Sequence, residues 1–277
     1  MVAFDYRLPS PALREYVRLY QIVGFEFKDA LTVPSKPYWP RPENYLTFYP
    51  RDLERVSYLD GDQPQDKPRS TIIGQPCIVT HRQVGRDFLA FQVVFQAGAL
   101  FRLSRIPANE LTNSFVDAEA VFSGEIKLVN ERLSSTDNHL EMVAIVEDFL
   151  WYLIRGATYQ RHPVDEAGHF LLQNPRNVSL DWLADQTCVS RRQFYRQFVE
   201  RMGVSPKCYS RIVQFDNAVK LKNAQPHKDW LSIALELGYY DYQHLVRDFK
   251  EFTGLTPTAF YLQDSKAPER TFGHRET

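Results

Sequence analysis

Two short stretches near the C-terminal end carry side chains able to read base edges. Arg191, Arg192 and Arg196 cluster in the first, and Gln243 and Arg247 in the second. A guanidinium presents a planar fork that meets guanine O6 and N7 together, and a glutamine amide can do the same for adenine; each good bidentate pair is worth about 1–3 kcal/mol of discrimination. Arg191, Arg201 and Lys250 suit a different task, holding register on phosphates without carrying sequence information. A solvated charged helix face is the bland reading of the same residues.

The elements that must position these groups are two copies of one unit. The segment 193–209 aligns without gaps on 244–260. Both copies keep an arginine (Arg196, Arg247), a phenylalanine (Phe198, Phe249), a glycine (Gly203, Gly254), a hydroxyl-proline pair (Ser205-Pro206, Thr256-Pro257) and an aromatic (Tyr209, Phe260). A solenoid needs at least three stacked units, so two copies indicate a duplicated supersecondary element. In the first copy Ser179 caps a helix with Leu180, Leu183 and Ala184 inward, and Ser190 caps a second helix, Arg191 to Met202. Phe194, Phe198 and Met202 recur at i, i+4, i+8 and turn Arg191, Arg192, Tyr195, Arg196 and Val199 outward. This is helix-turn-helix spacing, whose second helix lies in a major groove. In the second copy Leu231, Ile233, Ala234 and Leu237 form the buried face and Asp241 caps the next helix. Leu245 and Phe249 point inward there, and Tyr242, Gln243, Val246 and Arg247 outward. One helix from Pro206 to Ala224 joins the units, and two readers on one face of a duplex lie about 34 Å apart.

Charge has to be read by segment. The 277-residue chain has a net charge of −1, yet residues 176–258 hold 12 Lys+Arg against 9 Asp+Glu. Within 190–202 four arginines face Glu200, while 241–252 carries Arg247 and Lys250 against Asp241, Asp248 and Glu251. The local field attracts phosphates, which puts the greater electrostatic weight on the first copy.

Most of the 17 prolines lie before position 110, among short β-like runs: 45–49, 55–59, 78–82 and 88–95. Such strands predict a small barrel or sandwich. Pro11 opens a short helix to about Tyr16, and residues 60–69 read as an exposed loop. From Leu140 to Ile154 one apolar stripe of Val143, Val146, Phe149, Leu150 and Leu153 predicts a helix packed on the first domain or on a second subunit. The expected fold class is α+β in two domains: a β-rich barrel-like or sandwich domain over 1–160, an all-α domain with two helix-turn-helix motifs joined by a long helix over 161–265, and a tail, 266–277. No apolar run approaches a membrane span and the first residues lack a signal-peptide layout, so a cytoplasmic, nucleoid-associated protein is expected.

The second copy, with Ala234, Leu237-Gly238-Tyr239, Asp241-Tyr-Gln-His-Leu245, Arg247-Asp-Phe249, Lys250, Phe252, Gly254 and Thr256-Pro257, resembles the AraC/XylS family of bacterial transcription regulators. The resemblance covers about 163–263 and implies two helix-turn-helix motifs on a long helix. It places base contacts at Arg192, Tyr195 and Arg196, and at Gln243, His244 and Arg247. Ser190, Arg191, Arg201, Asp241, Tyr242 and Lys250 complete the expected interface as phosphate contacts. It also implies contact with RNA polymerase. The run 95–103 with Ile106-Pro107 and Glu110-Leu111-Thr112 is similar to an uncharacterised β-rich, sensor-like domain attached to other regulators of this family. The arabinose-sensing cupin of the family is not matched. Expected partners are a double-stranded DNA operator, a small-molecule effector of unspecified chemistry and a second copy of the chain as a homodimer, with no membrane and no cofactor.

Blander assignments hold elsewhere. His162 and His169 flank an acidic stretch without a third metal ligand, and His81 in a β segment reads as a packed residue. Cys77, Cys188 and Cys208 form no framework or zinc knuckle. No phosphate loop, nucleophile elbow or paired metal motif points to an enzyme. Two rivals remain: a small-molecule enzyme with an accessory helical domain, tested by His81→Ala, and a helical protein-interaction module, which salt would weaken far less than DNA binding.

Overall fold

The computed structural model describes residues 2–27, 33, 35–58, 63–157, 160–175, 178–267 and 270. Outside them fall Leu59 and residues 60–62 of the expected strand and loop, two residues at the expected domain boundary, and most of the 266–277 tail.

Among the described residues up to 117 there are ten strands: β1 (Val2–Arg7), β2 (Val17–Glu26), β3 (Lys36–Tyr38), β4 (Tyr45–Phe48), β5 (Arg55–Ser57), β6 (Gln65–Asp66), β7 (Ser70–Ile73), β8 (Thr80–Gln83), β9 (Asp87–Phe95) and β10 (Phe115–Asp117). They form two antiparallel sheets, a six-stranded one in the order β1-β2-β9-β4-β7-β10 and a four-stranded one, β3-β8-β5-β6. Among the helices, α1 (Ala99–Ser104), α2 (Ala118–Ser134) and α3 (His139–Gly156) belong to this β-rich part.

Strand β9 shows why the layers stack as they do. Side chains alternate across a strand, so one sequence feeds two faces. Leu89, Phe91, Val93 and Phe95 enter the main core with Val129 and Leu133 of α2 and Val146 and Phe149 of α3. Phe88, Ala90 and Gln92 face a pocket shared with Tyr38 and Arg82 of the smaller sheet. The stripe on α3 packs on this first region. The stretch from Pro11 is a single 3-10 turn ending at Leu13. The expected exposed loop at 60–69 also differs: Gln65 and Asp66 pair with β5, and Lys67 is buried against Glu54.

The remainder is helical: α4 (Pro163–Gln173), α5 (Leu180–Gln186), α6 (Arg191–Met202), α7 (Pro206–Ala224), α8 (Trp230–Glu236), α9 (Tyr242–Thr253) and α10 (Pro257–Asp264). Side chains of Ser179, Ser190, Ser205, Asp229, Asp241 and Thr256 each accept a backbone N–H at the start of a helix. Gly203 and Gly254 end α6 and α9 at φ 89° and 73°, the left-handed conformation that excludes most side chains there. Helix α7 is apolar round most of its girth because it serves two cores. Tyr209 and Val213 pack with Phe194, Phe198 and Leu183, whereas Ile212, Phe215 and Val219 pack with Ile233, Leu245 and Phe249.

The two regions interlock. Trp39, just past β3, is fully buried in the second helical core, edge-on to Phe260, and its indole N–H donates to Asp216 Oδ1 at 2.9 Å. Thr112 Oγ1 donates to the Gly203 carbonyl at 2.7 Å, and Val79 N–H to the Phe252 carbonyl at 2.8 Å. At Gly98 (φ 75°) a Cβ would sit 1.9 Å from Asp165 Oδ1, so only glycine allows this approach of the β-rich region to α4.

Candidate nucleic-acid interface

Helix α6 begins with a capping box. Ser190 Oγ accepts the Gln193 N–H at 3.3 Å, and Gln193 Oε1 accepts the Ser190 N–H at 3.2 Å. The cap fixes the first turn, which leaves Arg191, Arg192, Tyr195 and Arg196 on its exposed side. Tyr195 is 39% exposed and meets Phe194 edge-on, so the buried stripe anchors its ring. Arg191 pairs with Asp181 of α5 at 3.0 Å.

Arg201 departs from the expected phosphate contact. It is buried on the same side as Phe198 and Met202, donating from Nε and Nη2 to the two Asp165 oxygens at 2.5 and 2.6 Å, with its guanidinium over the Phe101 ring. Its spacing explains this: three residues after Phe198 and seven after Phe194, it lies on the core stripe. A guanidinium placed there is matched by a carboxylate instead of reaching the duplex.

Helix α9 exposes Gln243, His244, Arg247 and Lys250. Asp241 is its cap, accepting the His244 N–H at 2.8 Å and contacting the His244 ring nitrogen Nδ1 at 2.8 Å. Those bonds from His244 hold the Asp241 carboxyl below the ordinary carboxylate range. The side chain is therefore engaged as an anion, and any phosphate contact at this turn falls to backbone amides. Tyr242, expected outward, is half-buried against the second core.

The acidic residues of α9 are sequestered. Asp248 is 6% exposed and accepts from Arg211 of α7 at 3.0 and 2.6 Å. Glu251 accepts from Nη1 and Nη2 of the same guanidinium. Burial pushes the Asp248 carboxyl above its ordinary value despite Arg211, while the Arg211 hydrogen bonds hold Glu251 below its own. Two of the three carboxylates counted in 241–252 are thus neutralised by Arg211, and Asp241 alone of them stays at the open turn. With Arg201 turned inward, the charge difference between the two copies narrows. Sequence reasoning also passed over Tyr240, 87% exposed and edge-on to the His244 ring. The signal was the pair Tyr239-Tyr240, of which Tyr239 fills the core.

The two histidines considered for metal do other work. His162 caps α4, and His169 contacts Gln173 at 3.0 Å. Among the described residues no group of three metal-ligating side chains occurs. No helix there is long and apolar enough to cross a membrane.

Comparison with known proteins adds four findings. The family described as a helix-turn-helix domain matches residues 183–263. An HTH-type transcriptional regulator of Haemophilus influenzae is 34% identical over 94 residues, which are 32% of this chain and 30% of that relative's length. In the solved structure of ToxT from Vibrio cholerae the similarity is 8% identity at a TM-score of 0.49, covering 88% of this chain and 98% of that one. The AraC-like transcriptional activator CuxR reaches 14% identity and a TM-score of 0.27 over 75% and 83%. Residues 183–263 of the chain, whose two pairs of capped helices are joined by α7, thus match a helix-turn-helix domain.

Proposed function

We propose that the chain is a sequence-specific transcription regulator whose helices α6 and α9 enter successive major grooves. The observation that carries this reading is the sorting of charge on the two helices. Arg192, Arg196, Gln243 and Arg247 stand on exposed turns, while Asp248 and Glu251 are drawn off by Arg211. Connector α7 has 19 residues, about 28 Å at 1.5 Å per residue, which is close to one helical turn of DNA. In this reading Arg192, Tyr195, Arg196, Gln243, His244 and Arg247 meet bases, and Ser190, Arg191 and Lys250 meet phosphates.

The β-rich region is the regulatory part of the proposal, acting through a small-molecule effector or through dimerisation, and RNA polymerase is the downstream partner. A pocket of about 80 Å³ between the sheets, lined by Val23, Phe25, Phe88, Tyr38 and Arg82 among others, is the effector's entry point. Ligand pockets usually measure about 300–1,000 Å³, so an effector of ordinary size must part the sheets.

Selection of bound sequences from a random DNA library by the full-length protein tests the function. Two enriched blocks about one helical turn apart support it. No enrichment at low or moderate salt removes it in favour of a protein-binding helical domain.

A further inference from the structure

Two of the three cysteines meet where the β-rich region touches the helical one. Cys77 lies in the connection between β7 and β8, and Cys208 is the third residue of α7. Both are half-buried free thiols, both pack against the two helical cores, and they are in hydrogen-bonding contact. The Cys77 connection is held in place on either side. Its own N–H donates to Asn113 Oδ1 at 2.6 Å, and two residues later Val79 is bonded to Phe252. Cys208 is equally fixed, its N–H donating to Ser205 Oγ at 3.2 Å in the first turn of a 19-residue helix.

We propose that Cys77 and Cys208 form a reversible disulfide that staples the β-rich region to the connector helix. A low-molecular-weight disulfide is the oxidant. The Cys208 thiolate attacks one of its sulfurs, forming a mixed disulfide and expelling a thiolate. Cys77 then loses its proton and displaces the second thiolate from the Cys208 sulfur. Two protein thiols are oxidised, the reagent's disulfide is reduced to two thiols, and the protons given up by the cysteines end on those leaving groups.

The order of attack follows from the surroundings. Positive charge and a helix N-terminus favour a thiolate. Its bond with Cys77 holds the Cys208 thiol below the ordinary range against its burial, Arg211 adding to this and the paired carboxylates Glu251 and Asp248 opposing it, whereas the same bond and burial push Cys77 up. Cys188 is exposed in the turn before α6, a third thiol that serves as a comparator.

The test uses full-length Cys188→Ser protein, reduced and then exposed to a series of oxidised-to-reduced glutathione ratios. Thiols are trapped by alkylation and peptides mapped without reductant. The expected result is a crosslinked peptide pair containing Cys77 and Cys208, with neither keeping glutathione, and a higher denaturation midpoint that reductant restores. In the Cys77→Ser variant Cys208 stops at a glutathione adduct. Glutathione adducts on both cysteines of the Cys188→Ser protein, or two thiols unreacted in excess oxidant that react once urea unfolds the chain, overturn the proposal. An unchanged rate of Cys77 reaction in Cys208→Ser overturns the assigned order. None of these readouts depends on DNA.

Discussion

Arg201 separates a structural role from a phosphate contact, and Arg201→Met does so cleanly. The substitution keeps an aliphatic stem of similar length but removes the guanidinium from Asp165 and from the Phe101 ring. The two side chains are 7% and 3% exposed, so water screens the pair little, and the surviving carboxylate, wedged against Gly98, keeps the His162 N–H but loses its bidentate cation. Breaking one side of such a buried pair costs about 3–5 kcal/mol. In urea, with an m-value of about 2–3 kcal/mol per M, that is a fall of about 1–2 M in the midpoint, read by helical circular dichroism. Adding Asp165→Asn to Arg201→Met removes the stranded charge and recovers part of the loss. A lost phosphate contact behaves differently: stability is untouched, and the slope of log affinity against log salt becomes shallower by about 0.9. An unchanged urea midpoint together with that shallower slope would refute the structural account of Arg201.

On DNA selected as described above, Arg196→Ala and Arg247→Ala should each lose about 1–3 kcal/mol of specific affinity by fluorescence titration, and more than Gln243→Ala, because a charged donor makes the stronger bond. A loss confined to Arg196 would show that the sequestration of Asp248 does not equalise the two helices. Lys250→Ala should weaken binding evenly across sequences and make the salt slope shallower by about one contact, whereas a sequence-dependent loss would assign it to a base. In the β-rich region burial raises the Glu54 carboxyl, but the charges of Lys67 and Arg82, with hydrogen bonds from Lys67 and Tyr49, outweigh it and leave it below the ordinary carboxylate range. A carboxyl depressed in the folded state contributes stability above its unfolded value that is lost as pH falls through the folded one. The unfolding midpoint of Glu54→Gln should therefore fall less steeply with acid than that of the parent, and parallel curves would contradict this.

How much of this was legible in the chain follows from what a linear pattern encodes. The helix-turn-helix repeat could be read because its stripes, caps and closing glycines are local: Phe194 and Phe198 recur at helical spacing, and Ser190 answers Gln193 three residues on. Strand β9 was visible as an apolar run broken only at Gln92, since it is buried on both faces. Strands β1 and β2 were missed because polar residues such as Asp5, Arg7 and Gln21 interrupt them, and α2 because charged residues crowd its short apolar stripe. At the candidate site, counting charge misled where phase would have served. Arg201 and Asp248 each fall on a buried stripe, and their partners Asp165 and Arg211 are 36 and 37 residues away, beyond the reach of any local rule. Trp39 and Asp216, 177 residues apart, were less visible still.

That last pair bears on how such a chain can be rearranged by recombination. The indole of Trp39 completes a core otherwise built from residues after 200, and its N–H answers a buried carboxylate on the connector helix. Transplanting the helical part under another sensor would expose Phe215 and Phe260 and leave Asp216 with Lys220 but without the donor to its Oδ1, unless the newcomer delivered a flat apolar donor to the same spot. The seam between the halves thus acts as a lock with a matched key, and exchange across it selects for partners that carry the tryptophan or its equivalent.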